Sequence, residues 1–254
     1  MRKNLGRQEG YASIKLFKSV MSRRFRFIGF HGWGEPLLNK DLFEMVQYAA
    51  SMGVYTSVIT NGTLLLDRIE EMFSSQLDDV VFGVYESSRL KAIEKTIEAL
   101  KEEREVRGCS KPKIFVDITM YNGDKDEVLA IIKRASHLGV ECINVHRLFD
   151  LYGVDSAVRH LSPSEERELI KNIKSLCRRS KIKVILPKKH RIPCRGIKYC
   201  TFITWDGYLT PCCFLPNNHL GNVLNTDIND ILKFEKENFV RNMGHDEICK
   251  ECIM

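Results

Sequence analysis

Phe25-Arg26-Phe27-Ile28-Gly29-Phe30-His31-Gly32-Trp33-Gly34-Glu35-Pro36 is the stretch on which the reading of the chain turns. Its first half is apolar enough for a strand buried on both faces, as in a parallel sheet covered by helices. Its second half is a tip, where two glycines allow close backbone approach to a ligand and Pro36 restrains Glu35. A helical pattern follows at Leu42, Phe43, Val46, Ala49 and Ala50 and is closed by Gly53. The next strand, residues 54–59, ends in a second sharp tip, Thr60-Asn61-Gly62-Thr63, whose amide suits hydroxyl recognition.

The same order recurs downstream. Helix 64–74, strand 79–85, helix 89–105, strand 113–120, helix 125–138 and strand 141–148 precede a helix opened by the capping box Ser162-Pro163-Ser164-Glu165 and a last strand at 181–186. Upstream, Ile14, Leu16, Phe17, Val20 and Met21 mark one face of a helix over residues 13–23. Strands alternating with helices at this spacing predict an α/β fold of parallel βα units closed or partly closed into a barrel. The chain enters on a helix, so the strand at 25–30 has no earlier strand beside it. Either another segment covers that edge, or a first strand lies outside the sequence.

The 254 residues suit a large domain with a small appendage. The net charge of +6 comes from 39 basic and 33 acidic residues that are mostly interleaved, which describes solvated helix faces. Residues 178–195 are more densely basic but carry no interleaved aromatics, so nucleic acid is not an expected partner. No apolar run reaches the length of a bilayer span. A soluble, cytoplasmic protein without a membrane partner is expected.

Six of the nine cysteines, Cys194, Cys200, Cys212, Cys213, Cys249 and Cys252, crowd the C-terminal end, and a metal-rich appendage is expected to begin near Pro187. Buried cysteine behaves as a small hydrophobe that leucine or alanine could replace, so this density points to soft-metal ligation. Cys249 and Cys252 have the two-residue spacing that aims both sulfurs at one ion or cluster face. Asp206-Gly207 reads as a two-residue type I′ turn between short strands, bringing Cys200 near Cys212 and Cys213. Cys194, beside Pro193 and Gly196, can fold back over the strand ends. A disulfide framework is disfavoured, because the chain is large enough to need no staples. Spacing alone leaves zinc and iron–sulfur open.

Gly32-Trp33-Gly34-Glu35-Pro36-Leu37-Leu38-Asn39, followed by Thr60-Asn61-Gly62-Thr63-Leu64-Leu65, resembles the methionine-amine segment and next strand tip of radical S-adenosyl-L-methionine (SAM) enzymes. Cys194, twelve residues, Gly207, four residues and Cys212 is similar to the opening motif of their SPASM and twitch extensions. The resemblance implies a partial (β/α)6 TIM-like barrel over residues 1–186, lacking its first strand, and a Cys-rich iron–sulfur domain over 187–254. It implies that the backbone of Gly32, Trp33, Gly34 and Glu35 receives the SAM amino group, that Asn61 lies by the sugar or methionine, and that Arg147, with His146, lies by the adenine or substrate.

It further implies a [4Fe–4S] cluster on Cys194, Cys212, Cys249 and Cys252, with Cys200 as the alternate ligand. A regular hairpin would instead set Cys200 opposite Cys213 and turn Cys212 away, but Pro211 should break that ladder, so the motif spacing decides for Cys212. The implied activity is that of an oxidoreductase-like enzyme that cleaves SAM reductively and abstracts hydrogen from a peptide or small molecule, using a reductant such as ferredoxin or flavodoxin. The family's Cys-x3-Cys-x2-Cys triad is missing, since no cysteine precedes Cys109. The triad would stand just ahead of the first helix, so Met1 is expected to lie inside a longer reading frame. Without it, the alternatives are a non-catalytic iron–sulfur electron-transfer or partner-binding module and a zinc-stabilised barrel.

Overall fold

The computed structural model describes residues 8–21, 25–121, 125–148, 159–180, 182–188 and 191–252. The chain divides into two compact units, one of Phe25–Leu148 and Asp155–Pro187, the other of Met1–Arg24, Phe149–Val154 and Lys188–Met254. Among the described residues no helix is long and apolar enough to cross a membrane.

The first unit is an α/β layer structure. Its sheet has six parallel strands in chain order: β1 (Phe27–Phe30), β2 (Tyr55–Thr60), β3 (Asp79–Val84), β4 (Lys113–Met120), β5 (Cys142–Arg147) and β6 (Lys183–Ile185). Parallel neighbours need a crossover, and helices supply each one. These are α2 (Leu42–Ser51), α3 (Ile69–Ser74), α4 (Ser87–Val106), α5 (Lys125–His137) and α6 (Pro163–Ser180), with α1 (Ile14–Val20) ahead of the sheet in sequence. Because side chains alternate along a strand, Val80, Phe82 and Val84 of β3, Ile114, Val116 and Ile118 of β4, and Ile143 and Val145 of β5 all face the helices and join one core. Each such fully buried side chain stabilises the fold by roughly 2 kcal/mol.

The residues between them face the other way. Strand register sets Gly83, Asp117, Asn144 and Ile185 in one row across β3 to β6, with Thr119 and His146 in a row nearer the carboxyl ends.

The sequence predicts a helix over 64–74, but the structure has a 3-10 turn at Leu66–Arg68 and starts α3 at Ile69. Arg68 leaves helical backbone, with φ −122° and ψ 17°, and its Nη1 donates to the carbonyls of Leu37 at 2.8 Å and Asn39 at 3.2 Å. At α6 the capping box forms as written: the Glu165 carboxylate accepts from Ser162 N–H at 2.8 Å, and Glu165 N–H donates to Ser162 Oγ at 3.3 Å. The outer ends of two expected elements, residues 22–23 of the first helix and 181 of the last strand, lie outside the described residues.

The second unit carries α7 (Arg195–Tyr199), an antiparallel sheet of β7 (Phe202–Ile203), β8 (Tyr208–Thr210) and β9 (Gly221–Asn222), a π-helical turn at Ile231–Lys236 and a short helix at Glu247–Glu251. The division takes Met1–Arg24 into this unit, whereas the sequence grouped those residues with the barrel. A local reason is visible: Gly10 abuts Trp205 so closely that a Cβ there would run into the ring.

The hairpin differs from the expected type I′ turn. Phe202 pairs with Thr210 and Ile203 with Leu209, and Thr204 N–H donates to Tyr208 C=O at 2.8 Å, leaving a three-residue loop, Trp205-Asp206-Gly207. A type I′ turn would need left-handed backbone at Asp206 as well; here only Gly207 takes it, at φ +88°. The Thr204 hydroxyl donates to Asp206 Oδ1 at 2.5 Å and closes the loop. Register therefore moves by one residue, and the line of pairing would set Cys200 across from Cys212. The ladder stops at Thr210, before Pro211.

Candidate functional site

The tips after β1 and β2 are tied together by Glu35. Its Oε1 accepts from Leu37 N–H at 3.1 Å and from the Thr60 hydroxyl at 2.5 Å, and its Oε2 accepts from Asn61 N–H at 2.8 Å. Three donors on one carboxylate form a charge-assisted anchor. Glu35 thus positions the tip. Asn61 Oδ1 accepts from Thr63 N–H at 2.9 Å and from the Thr63 hydroxyl at 2.7 Å, forming an Asx turn that leaves its exposed Nδ2 as the available donor. Gly62 sits at φ +79°, and a Cβ there would lie 2.7 Å from Phe82 Cδ1. No other residue fits beneath the turn.

Asp117 organises the sheet face opposite the core. Asn144 Nδ2 donates to its Oδ1 at 2.7 Å, and His146 Nε2 lies 3.5 Å from its Oδ2. His31 and Tyr85 also lie within its field: burial lowers the His31 pKa while Asp117 partly restores it, and burial followed by Asp117 raises that of Tyr85. Both side chains reach solvent. Asp117 escaped sequence reasoning, although a carboxylate inside the otherwise apolar run of β4 is a signal that could have found it.

Arg147 is paired with a carboxylate of α6. Its Nε donates to Glu166 Oε2 at 2.9 Å and its Nη2 to Oε1 at 2.7 Å, a bidentate pair linking β5 to α6. Its side chain is only 15% exposed. Arg147→Met is therefore expected to cost about 2 kcal/mol of stability. Urea unfolding checks this; unchanged stability with lost nucleotide affinity would return Arg147 to the binding site.

In the tail, Cys194, Cys212 and Cys249 pack in one small apolar cluster with Ile197, Leu215 and Met243. Cys252 lies in the field of Cys212, Cys213 and Cys249, and Cys200 in that of Cys213. Cys212 sulfur accepts backbone hydrogen bonds from Phe214 and Leu215, the kind of donor that steadies a thiolate. Asp246 Oδ1 accepts from Cys249 N–H at 2.8 Å and holds the start of the Cys249–Cys252 segment. Among the described residues no three His, Cys, Asp or Glu side chains stand at single-ion spacing. A cubane distributes its thiolates over four irons and asks for a wider arrangement than one zinc does.

Burial pushes the thiols of Cys212 and Cys249 up to about 12 and that of Cys213 to about 11. Iron-free protein therefore holds these protons more tightly when folded than when unfolded. The resulting stability is complete below the ordinary thiol value near 9 and is lost as pH climbs toward 12. Thermal melts of iron-free protein are expected to fall from about pH 9 upward, with a smaller fall after iron loading, because metal takes the protons' place. Parallel curves for the two forms would contradict this.

Residues 194–253 match the SPASM family, an iron–sulfur cluster-binding domain. The chain is 26% identical over 226 residues to a probable GTP 3',8-cyclase of Saccharolobus solfataricus, covering 80% of this chain and 70% of that protein. The SPASM match at residues 194–253 and this likeness support reading the chain as a radical SAM protein with a SPASM extension. Its fold is similar to that of Streptococcus suis SuiB solved with S-adenosylmethionine, at TM-score 0.68 and 14% identity, over 89% of this chain and 60% of SuiB. It is also similar to anSMEcpe solved with AdoMet and the Cp18Cys peptide, at TM-score 0.67 and 17% identity, over 96% of this chain and 79% of that one. The chain thus spans less than two thirds of SuiB.

The cofactors of such radical SAM proteins are a [4Fe–4S] cluster and SAM. The residues present fit the cluster, because Cys194, Cys212 and Cys249 pack together from three separate segments with Cys252 in the field of Cys212 and Cys249, and the Cys212 sulfur accepts from backbone N–H groups.

Proposed function

We propose that this protein is an iron–sulfur enzyme of the radical SAM type that acts on a peptide or small polar molecule by hydrogen abstraction. SAM and reduced iron–sulfur supply that chemistry when bound. The chain's own residues bind and orient. The backbone of Gly32, Trp33 and Gly34, held by Glu35, takes the amino group of SAM, and Asn61 Nδ2 offers a donor to its sugar or carboxylate. The Asp117 row, with His146, Asn144, Tyr85 and His31, forms a polar floor that suits a substrate bearing hydroxyl or amino groups. Cys194, Cys212, Cys249 and Cys252 hold the cluster of the tail, and a ferredoxin or flavodoxin serves as electron donor.

The observation that carries this reading is the three-donor anchor at Glu35, which joins the two strand tips where the resemblance sets SAM. The test is to incubate anaerobically reconstituted protein with dithionite and SAM and to follow 5′-deoxyadenosine by chromatography. Its accumulation is expected. One observation favours a second reading, a non-catalytic electron-transfer or partner-binding module: the family model matches the iron–sulfur tail at residues 194–253. Intact SAM beside a four-iron spectrum would select that module, and zinc without iron would select a zinc-stabilised fold.

A further inference from the structure

Lys236 is 8% exposed, and no carboxylate pairs with it among the described residues. Its Nζ donates to the carbonyl oxygen of Cys200 at 2.6 Å. A carbonyl offers only a partial charge, and burying an ammonium without an anion is costly. The group in its field that can become anionic is the sulfur of Cys200, and Cys200 in turn lies in the field of Cys213.

The backbone is shaped to keep the cation there. Ile231 and Lys236 are the two buried residues of the π-helical turn Ile231–Lys236, and they stand five positions apart. In an α-helix residues five apart point in well-separated directions; in a π-turn, whose bonds run between residues five apart, they share a face. Ile231 is fixed by close packing on Gly221, where a Cβ would lie 2.9 Å from its Cδ1. With Ile231 seated, the π-turn is what brings Lys236 inward rather than to the surface beside the exposed Glu235 and Glu237.

We propose that Lys236 is the counter-charge of the tail's iron–sulfur cluster, anchored by the Cys200 carbonyl on the Cys200 side of the site, where its ammonium raises the cluster's reduction potential. The proposal rests on the reading of the tail as a cluster site. Four thiolates give the assembly a net negative charge, and reduction adds another electron. A fixed cation therefore favours the reduced form more than the oxidised one, and hydrogen bonds and charge beside the sulfurs are known levers on such potentials. Lys236 acts through electrostatics and touches no substrate, so it is a positioning residue.

The experiment is an EPR-monitored redox titration of the anaerobically reconstituted full chain, with iron counted in each sample. Lys236→Gln is expected to keep its iron and to lower the midpoint potential by about 59 mV or more, the shift that matches a tenfold change for a one-electron couple. Lys236→Arg, which retains the charge, is expected to move it by less than half as much. An unchanged potential in fully loaded Lys236→Gln overturns the proposal while leaving the cluster reading intact, and wild-type protein without iron overturns both. If Lys236→Gln fails to load, Lys236→Arg decides: full iron in the arginine variant supports the charge, and loss in both assigns Lys236 a packing role and ends the proposal.

Discussion

Cys212→Ser is expected to remove most of the iron from anaerobically reconstituted protein, by tenfold or more relative to Cys213→Ser, which should load normally. The two cysteines are adjacent, but their surroundings differ. Cys212 packs with Cys194 and Cys249 in one apolar cluster, lies in the field of Cys252, and accepts from the N–H groups of Phe214 and Leu215. Cys213 faces Cys200 and Cys252. Serine at Cys194, Cys249 or Cys252 should behave like serine at Cys212. Cys200→Ser should keep its iron, because the Cys200 contact to Lys236 is made by the backbone carbonyl, which serine retains. The check is iron and acid-labile sulfide per chain. Full iron in Cys212→Ser with loss in Cys213→Ser would transfer the cluster to the other face of the hairpin, and full iron in Cys212→Ser with loss in Cys200→Ser would replace Cys212 by Cys200 on the same face.

Glu35→Ala is expected to be the most damaging single change at the strand tips. It leaves the N–H groups of Leu37 and Asn61 and the hydroxyl of Thr60 without their acceptor, and separates two loops that no covalent link joins. Hydrogen bonds to a charged group contribute about 1.5–3 kcal/mol each, and the three here are not independent, so a loss of about 3 kcal/mol is expected. For a chain of this size that corresponds to a fall of roughly 10 °C in Tm. SAM affinity, measured by calorimetry on protein still folded at low temperature, should fall at least tenfold. Glu35→Gln should lie between wild type and Glu35→Ala, because its amide can accept but carries no charge. Unchanged affinity in folded Glu35→Ala would separate the tip from nucleotide binding.

The parallel sheet was readable because each strand is an apolar run with a turn on either side and each helix carries its own period and cap, as at Gly53 and Ser162. Interactions between distant positions were not. Glu35 looked restrained by its neighbour Pro36, whereas its partners Thr60 and Asn61 come from the following βα unit. Arg147 looked available at a strand tip until Glu166 of α6 came beside it. The hairpin register depended on one hydroxyl, Thr204 on Asp206, that turned a two-residue connection into three. Lys236 sits in Phe234-Glu235-Lys236-Glu237, which reads as a solvated helix face; only a π-turn, which no propensity in that stretch announces, takes it inside.

The role of the tail turns on its thiols holding a cubane. Mössbauer spectroscopy of the reconstituted full chain tests this most directly. The account predicts the signature of a [4Fe–4S] cluster with about four irons per chain. Stoichiometric zinc in place of iron, or a chain that stays metal-free under reconstitution, would contradict it.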